Sequence, residues 1–266
     1  MSPQNRSLLP LRCADAEGAK QALARHGCVI LEGIGPSAEA AQGIAHTLFD
    51  DSDIAALPPP AKVFDGGEKD PKREGLDHTS ALFAHTDGFA YGDLYPDYMC
   101  LACVTPSPEG GENFLVDGYA VYRALAAGHA QLGLGDPLVE IAVDQTEVGM
   151  QAAISPIVQH TAVGRLMVRR TLGAKPAPGS QNAADDQTII DQWENAIDKA
   201  AADAPRFLLQ PGDALVVDNY RIMHGREGYS SMQRFMWRVW VWTRGSLGVP
   251  DIPLHSDTRY AVRRSG

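Results

Sequence analysis

His85 and Asp87 stand two residues apart at the end of an apolar lead-in, Thr79-Ser-Ala-Leu-Phe-Ala84. In a strand, side chains two apart fall on one face, so an imidazole and a carboxylate would converge there. A His-x-Asp pair is common by chance and is at most half of a metal site. His224, far downstream in a His-Gly-Arg tripeptide, completes a set of two imidazoles and one hard oxygen donor. Such a set fills one face of an octahedral Fe(II) and leaves positions open for a co-substrate and O₂. A structural zinc site would want four protein ligands. The other histidines, His26, His46, His78, His129, His160 and His255, have no matching carboxylate at strand spacing and read as structural or surface residues.

His224 belongs to a longer stretch, Gly212 to Thr243. It opens with a turn, continues as the apolar run Ala214–Val217, passes small residues near Gly228–Ser231 and closes on a strand-like run from Arg234. Period-two alternation puts Arg234, Met236, Arg238, Trp240 and Trp242 on one face, with Phe235, Trp237, Val239, Val241 and Thr243 on the other. Two arginines on such a face are costly to bury unless each meets an anion. The alternative is an amphipathic edge strand whose arginines face solvent, and the strand alone does not choose. The histidine–aspartate set upstream favours the anion. The turn would return Arg234 to the neighbourhood of the metal, where a guanidinium can clamp a carboxylate through two hydrogen bonds.

The elements that must position these groups are legible in outline. Ala14–His26 reads as a helix ending at Gly27, followed by a short strand, Cys28–Leu31, and a helix from the cap Ser37 to about Phe49. Residues Asp50 to Asp77 carry Pro, Gly, Asp and Lys without apolar period and read as a long loop, a candidate lid. Strands are expected at Tyr98–Val104 and, after the Pro106–Gly111 turn, at Glu112–Val116. Asp117 can cap a helix to about Ala127, and Leu138–Val143 reads as a strand. Pro156–Gln159 and Arg165–Val168 suggest a hairpin, and a helix is expected from about Asp185 to Ala201. Many short strands with a few helices predict a mostly β fold, a sandwich or barrel core with peripheral helices.

The chain has 266 residues, 44% hydrophobic and 21% charged, enough for one large domain with a sizeable core. Its net charge of −10 argues against a nucleic-acid partner, which needs a clustered basic surface. No apolar run approaches the ~18 residues of a membrane span, and the N-terminus lacks the apolar core of a signal peptide, so a cytoplasmic location is expected. Cys100-x-x-Cys103 invites a zinc or redox reading. However, no second cysteine pair completes it, and its surroundings, YMCLACV, read as core strand.

These residues carry a family resemblance. The block HTDGFAYGDLYPDYMCLACVTPSPEGGENFLVDGYAVYRAL and the segment GDALVVDNYRIMHGRE…QRFMWRVWVW are specific to it, and the opening RHGCVILEGI and the hairpin SPIVQHTAVGRLMVRR add to it. The chain resembles the superfamily of Fe(II)/2-oxoglutarate oxygenases that includes taurine dioxygenase, γ-butyrobetaine hydroxylase and clavaminate synthase. The resemblance implies a double-stranded β-helix (jelly-roll) core in one domain over residues 1–266. It further implies iron on His85, Asp87 and His224, and Arg234 on the distal carboxylate of 2-oxoglutarate. Arg238 matches a position that meets the substrate's acidic group or supports the co-substrate. Relatives often carry Thr where this chain has Asn113; an amide can donate the same kind of hydrogen bond to 2-oxoglutarate. The implied reaction consumes O₂ and 2-oxoglutarate and hydroxylates a small molecule. A carboxylate at position 87, where family halogenases have a small residue, favours hydroxylation.

The substrate is the least legible part. Phe89, Tyr91, Tyr95 and Tyr98 are candidates to line its pocket, as a cage for a quaternary ammonium among other uses; packing of the sheet is the commoner role for such residues. Arg169 and Arg170 are candidates for substrate contacts, and Arg170 with Arg238 favours a substrate bearing an acid, such as an amino acid or a carnitine-like compound. Desaturation, cyclisation, a binding protein that kept the fold, and a metal-dependent hydrolase are the alternatives. The last would leave Arg234 and Arg238 without a common purpose. Homo-oligomerisation stays open.

Overall fold

The computed structural model describes residues 8–63, 80–131, 135–146, 150–171, 173–231, 233–252 and 254–255. The chain begins with β1 (Leu11–Cys13), α1 (Ala16–His26), β2 (Cys28–Leu31), α2 (Ala38–Leu48), β3 (Ile54–Ala56) and β4 (Ala61–Val63). It continues through β5 (Leu82–His85), β6 (Tyr98–Thr105), β7 (Asn113–Asp117), α3 (Gly118–Gln131), α4 (Pro137–Glu140), β8 (Val143–Asp144) and β9 (Ile154–Ser155). The last part holds β10 (Val158–His160), β11 (Leu166–Val168), β12 (Lys175–Pro176), α5 (Ala183–Ala202), β13 (Ala214–Asp218), β14 (Ile222–Arg226) and β15 (Phe235–Thr243).

The main sheet has the order β1-β2-β13-β6-β15-β3, with β4 also pairing β15; only β1 and β2 run parallel. A smaller antiparallel sheet has the order β5-β14-β7. The two sheets enclose one apolar layer, and helices cover their outer faces. Alternation in the central strands shows the layering directly. Val29, Leu31, Cys100, Ala102, Ala214, Val216, Val239 and Val241 pack outward against α1 and α2. Cys28, Ile30, Leu101, Leu215, Val217, Met236, Trp240 and Trp242 pack inward, where they meet Leu115 of β7 and Ile222 of β14. Covered on both faces, such strands read as continuous apolar runs. The opposite side of the small sheet, with Ala84, Phe114, Val116 and Met223, packs against Ile190, Trp193 and Ile197 of α5.

Local chemistry sets the ends of the helices. The Asp15 side chain accepts the Gly18 N–H at the start of α1, and Gly27 ends it with a left-handed φ of 76°. Ser37 caps α2, and Asp117 accepts the N–H groups of Tyr119 and Ala120 at the start of α3. The hairpin β10–β11 forms as expected. Among the described residues, no helix is long and apolar enough to cross a membrane.

Two expectations are corrected. The Asp50–Asp77 segment is not loop throughout: Ile54–Ala56 and Ala61–Val63 pair with β15 as β3 and β4. Strands of three residues either side of Pro58-Pro59-Pro60 are too short to show a period, and they form because the edge of β15 offers partners. Residues 64–77, the rest of the candidate lid, lie outside the described residues. The Leu138–Val143 strand is instead the short helix α4 followed by β8. Pro137 stands in its first turn, where a proline suits a helix start. Both Cys100 and Cys103 are buried free thiols in the core, and burial pushes the Cys103 thiol up to about 11.

Candidate active site

The small sheet brings the histidines together. In the antiparallel pairing of β5 with β14, His85 and His224 are direct partners, and their ring centroids lie 4.4 Å apart. Both side chains fall on the face that looks toward the main sheet, opposite to that of Ala84 and Met223. Asp87 lies just beyond the end of β5. Its Oδ1 is 3.4 Å from His85 Nε2 and 3.8 Å from His224 Nε2, and the three donor atoms lie within 4.8 Å of one another. Two imidazole nitrogens and one carboxylate oxygen thus converge on one point, as a facial triad requires.

The surroundings hold the three in ligand form. His85 Nδ1 lies 2.9 Å from the Phe83 carbonyl. A carbonyl only accepts, so Nδ1 carries a proton, which leaves Nε2 as the ring nitrogen that can ligate a metal. Burial first, and then His85, push the His224 imidazole down to about 3, only partly opposed by Asp87. It is therefore neutral, with a lone pair to give. Burial alone would raise the Asp87 carboxyl, but the Arg238 guanidinium opposes it, and Asp87 is held well below the usual carboxylate range.

The other oxygen of Asp87 is occupied. Trp240 Nε1 donates to Oδ2 at 2.8 Å, and Arg238 Nη1 donates to it at 3.2 Å. The Arg238 guanidinium also lies over the Trp240 ring, 4.4 Å from its centroid. With Oδ2 engaged by these donors, Oδ1 is the oxygen directed at the histidines. Arg238, expected at the substrate or the co-substrate, thus also contacts the carboxylate of the triad. Trp240 was not anticipated. It shares the arginine face of β15, yet an indole in an apolar run gives no sign of a hydrogen-bond partner.

Arg234 immediately precedes β15 and is 3% exposed. It donates to the thioether of Met236 at 3.1 Å and lies over the Tyr229 ring, and no carboxylate among the described residues pairs with it. Burial, and then the charge of Arg226, push its guanidinium down to about 10. A buried cation in this setting calls for an anion partner. Asn113, at the start of β7, shares the inward face with Leu115. Its side-chain nitrogen is buried with no partner among the described residues.

The remaining candidates have structural partners. Tyr91 packs edge-on against Trp240 and Trp242, and its hydroxyl meets the His255 backbone. Tyr95 donates to the Val168 carbonyl, and Tyr98 packs on Phe49. The Phe89 side chain lies outside the described residues. Arg169 is bound to Asp93 and Ser155. Arg170 is corrected: it donates to Glu194, Asp198 and the Ala84 carbonyl, tying α5 to β5. Carboxylates of this chain already satisfy it, so it is no free anion receptor.

The family model for taurine catabolism dioxygenase TauD and the TfdA family matches residues 4–240. The chain belongs to this family. It is an Fe(II)- and 2-oxoglutarate-dependent dioxygenase, and the converging histidines and carboxylate suit that metal. Solved structures share the fold at low identity. AAD-2 in complex with Mn(II) and N-oxalylglycine is 16% identical, with 92% of each chain covered and a TM-score of 0.62. Asparagine oxygenase is 17% identical, covering 90% of this oxygenase and 83% of that chain, with a TM-score of 0.62. The non-heme iron oxygenase OrfP in complex with Fe, succinate and (3S)-hydroxy-L-Arg is 16% identical, covering 85% and 79%, with a TM-score of 0.57.

Proposed function

We propose that this oxygenase hydroxylates an unactivated C–H bond of a small polar molecule, an amino acid or a related carboxylate- or betaine-type compound. The observation that carries the reading is the convergence of His85 Nε2, Asp87 Oδ1 and His224 Nε2 within 4.8 Å, in a chain whose buried Arg234 has no carboxylate partner among the described residues. The three atoms would hold Fe(II), Arg234 would take the distal carboxylate of 2-oxoglutarate, and the Asn113 amide would add a donor. Iron and 2-oxoglutarate bound there would supply the oxidation, in which one oxygen atom of O₂ would enter the substrate C–H bond and the other the succinate left as 2-oxoglutarate loses CO₂.

The chain's own part is placement and exclusion of water. Trp240 and Arg238 hold one carboxylate oxygen so that the other faces the metal position. The Phe83 carbonyl sets the tautomer of His85. Inward-facing Leu115, Met236 and Trp240 belong to the apolar layer between the sheets, and a low-dielectric setting strengthens charge-assisted contacts to a bound anion. Two facing sheets with mostly antiparallel strands support a jelly-roll core, and the family match over most of the chain supports one oxygenase domain. The amino-acid reading draws on fold relatives named for asparagine and bound to hydroxyarginine. Four cysteines without disulfides suit a cytoplasmic setting.

The test is spectroscopic, then chemical. Fe(II) followed by 2-oxoglutarate, without oxygen, should give a visible charge-transfer band that His224→Ala lacks; no band in the wild type, or an unchanged one in the variant, defeats the assignment. Substrate-dependent succinate formation is then screened across amino acids, betaines and sulfonates, and turnover of neutral compounds alone would sink the substrate class.

A further inference from the structure

Asp87 lies past the end of β5, so the strand ladder does not hold its backbone. The next residue, Gly88, has a left-handed φ of 99°, and a Cβ there would fall 2.3 Å from Pro96 Cδ. The chain therefore turns sharply away from the sheet at the carboxylate. One buried side chain closes that turn. Asn219, fully buried between β13 and β14, accepts the Asp87 N–H through Oδ1 at 2.9 Å. Its Nδ2 donates to the Asp87 carbonyl at 3.0 Å and to the Pro96 carbonyl at 2.8 Å. Only this orientation of the amide works, because the reverse would set an oxygen against two carbonyls.

We propose that Asn219 is a positioning residue for the metal-binding carboxylate: its amide locks the backbone on both sides of Asp87 to the turn that leads into His224. The inference rests on the reading of Asp87 and His224 as metal ligands. Asn219 thereby ties together the two segments whose separation sets the donor geometry. Its own turn is braced. Arg165 joins Asp218 and Asp97 at 2.6 Å each, Asp218 accepts the Tyr220 N–H, and Asp97 accepts the Thr243 N–H. The Asn219 N–H donates to the Asp97 carbonyl at 2.9 Å. Without the Asn219 amide, a buried N–H and a buried carbonyl of Asp87 lose their partners, and the carboxylate loses its fixed origin. Groups that orient metal ligands are worth about 10–100-fold in metal affinity or activity.

Mn(II) is titrated without 2-oxoglutarate or oxygen, and free Mn(II) is read by EPR, with thermal melts alongside. Asn219→Asp keeps the shape and the acceptor but lacks the N–H donors; Asn219→Ser, smaller and neutral, serves if the first does not fold. Tyr95→Phe, which loses its bond to the Val168 carbonyl, controls for general loosening, and His224→Ala gives the no-site baseline. The Asn219 variants are expected to weaken Mn(II) binding by about 10–100-fold, with Tyr95→Phe unchanged. Wild-type affinity in a folded Asn219 variant, or an equal loss in Tyr95→Phe, overturns the positioning role alone. A wild type that binds no Mn(II) overturns the metal reading as well.

Discussion

His85 and His224 are direct cross-strand partners in the β5–β14 pairing, with ring centroids 4.4 Å apart. Partners of this kind keep their Cβ atoms about 4.5–5.5 Å apart, so strand register alone sets the spacing of the two imidazoles. A slip of one residue would turn His85 to the opposite face, against α5. The site is thus built into the ladder of the small sheet, and only its carboxylate depends on a turn.

Arg234→Met removes a buried charge that no carboxylate of the described residues balances. Without ligands the variant should be more stable by about 1 kcal/mol or more, a rise in Tm of ~2–4 °C. In turnover, KM for 2-oxoglutarate should rise at least about 30-fold, equivalent to ~2 kcal/mol, with far less change in KM for the substrate. Steady-state kinetics with each varied in turn decides it; equal rises in both would count against the co-substrate assignment.

Trp240→Phe loses the N–H that holds Asp87 Oδ2, whereas Trp242→Phe loses one directed at the Leu94 carbonyl. Both indoles are fully buried, so both variants should melt lower. Fe(II) affinity should fall about 10–100-fold in the first and hold in the second. Equal metal affinity in the two would show that the indole does not orient the carboxylate.

Arg170→Met tests the corrected arginine. Its carboxylate partners are partly exposed, which tempers the loss, and about 1–3 kcal/mol of stability should go, at ~2–4 °C of Tm per kcal/mol. KM for 2-oxoglutarate and for substrate should stay at wild-type values. A selective rise in the substrate KM would return Arg170 to the pocket.

Gly88→Ala puts a side chain into a left-handed φ and against Pro96, at an expected cost of about 1–3 kcal/mol with weakened metal binding. Gly43→Ala, inside α2 where an added Cβ meets nothing within 4 Å, should instead stabilise by ~0.5–1 kcal/mol. Thermal melts and Mn(II) titrations on both separate a glycine required by the site from one that is not; a harmless Gly88→Ala would show that the turn after Asp87 tolerates adjustment.

What the sequence determined by itself is what period and residue type can carry. Strand alternation put Arg234, Met236, Arg238, Trp240 and Trp242 on one face, and all but the partly buried Arg238 are deeply buried there. Donor chemistry picked out His85, Asp87 and His224, and capping chemistry at Ser37 and Asp117 located α2 and α3. Tertiary structure decided which group each arginine meets, because a guanidinium carries no local sign of its partner. Arg170 finds Glu194 and Asp198 on α5, Arg238 finds Asp87 from 151 residues away, and Arg234 finds no carboxylate among the described residues. The same holds for Trp240 and Asn219, whose hydrogen bonds to Asp87 span 153 and 132 residues. Such contacts depend on the register of distant strands and the closure of one sheet over another, which no spacing along the chain encodes.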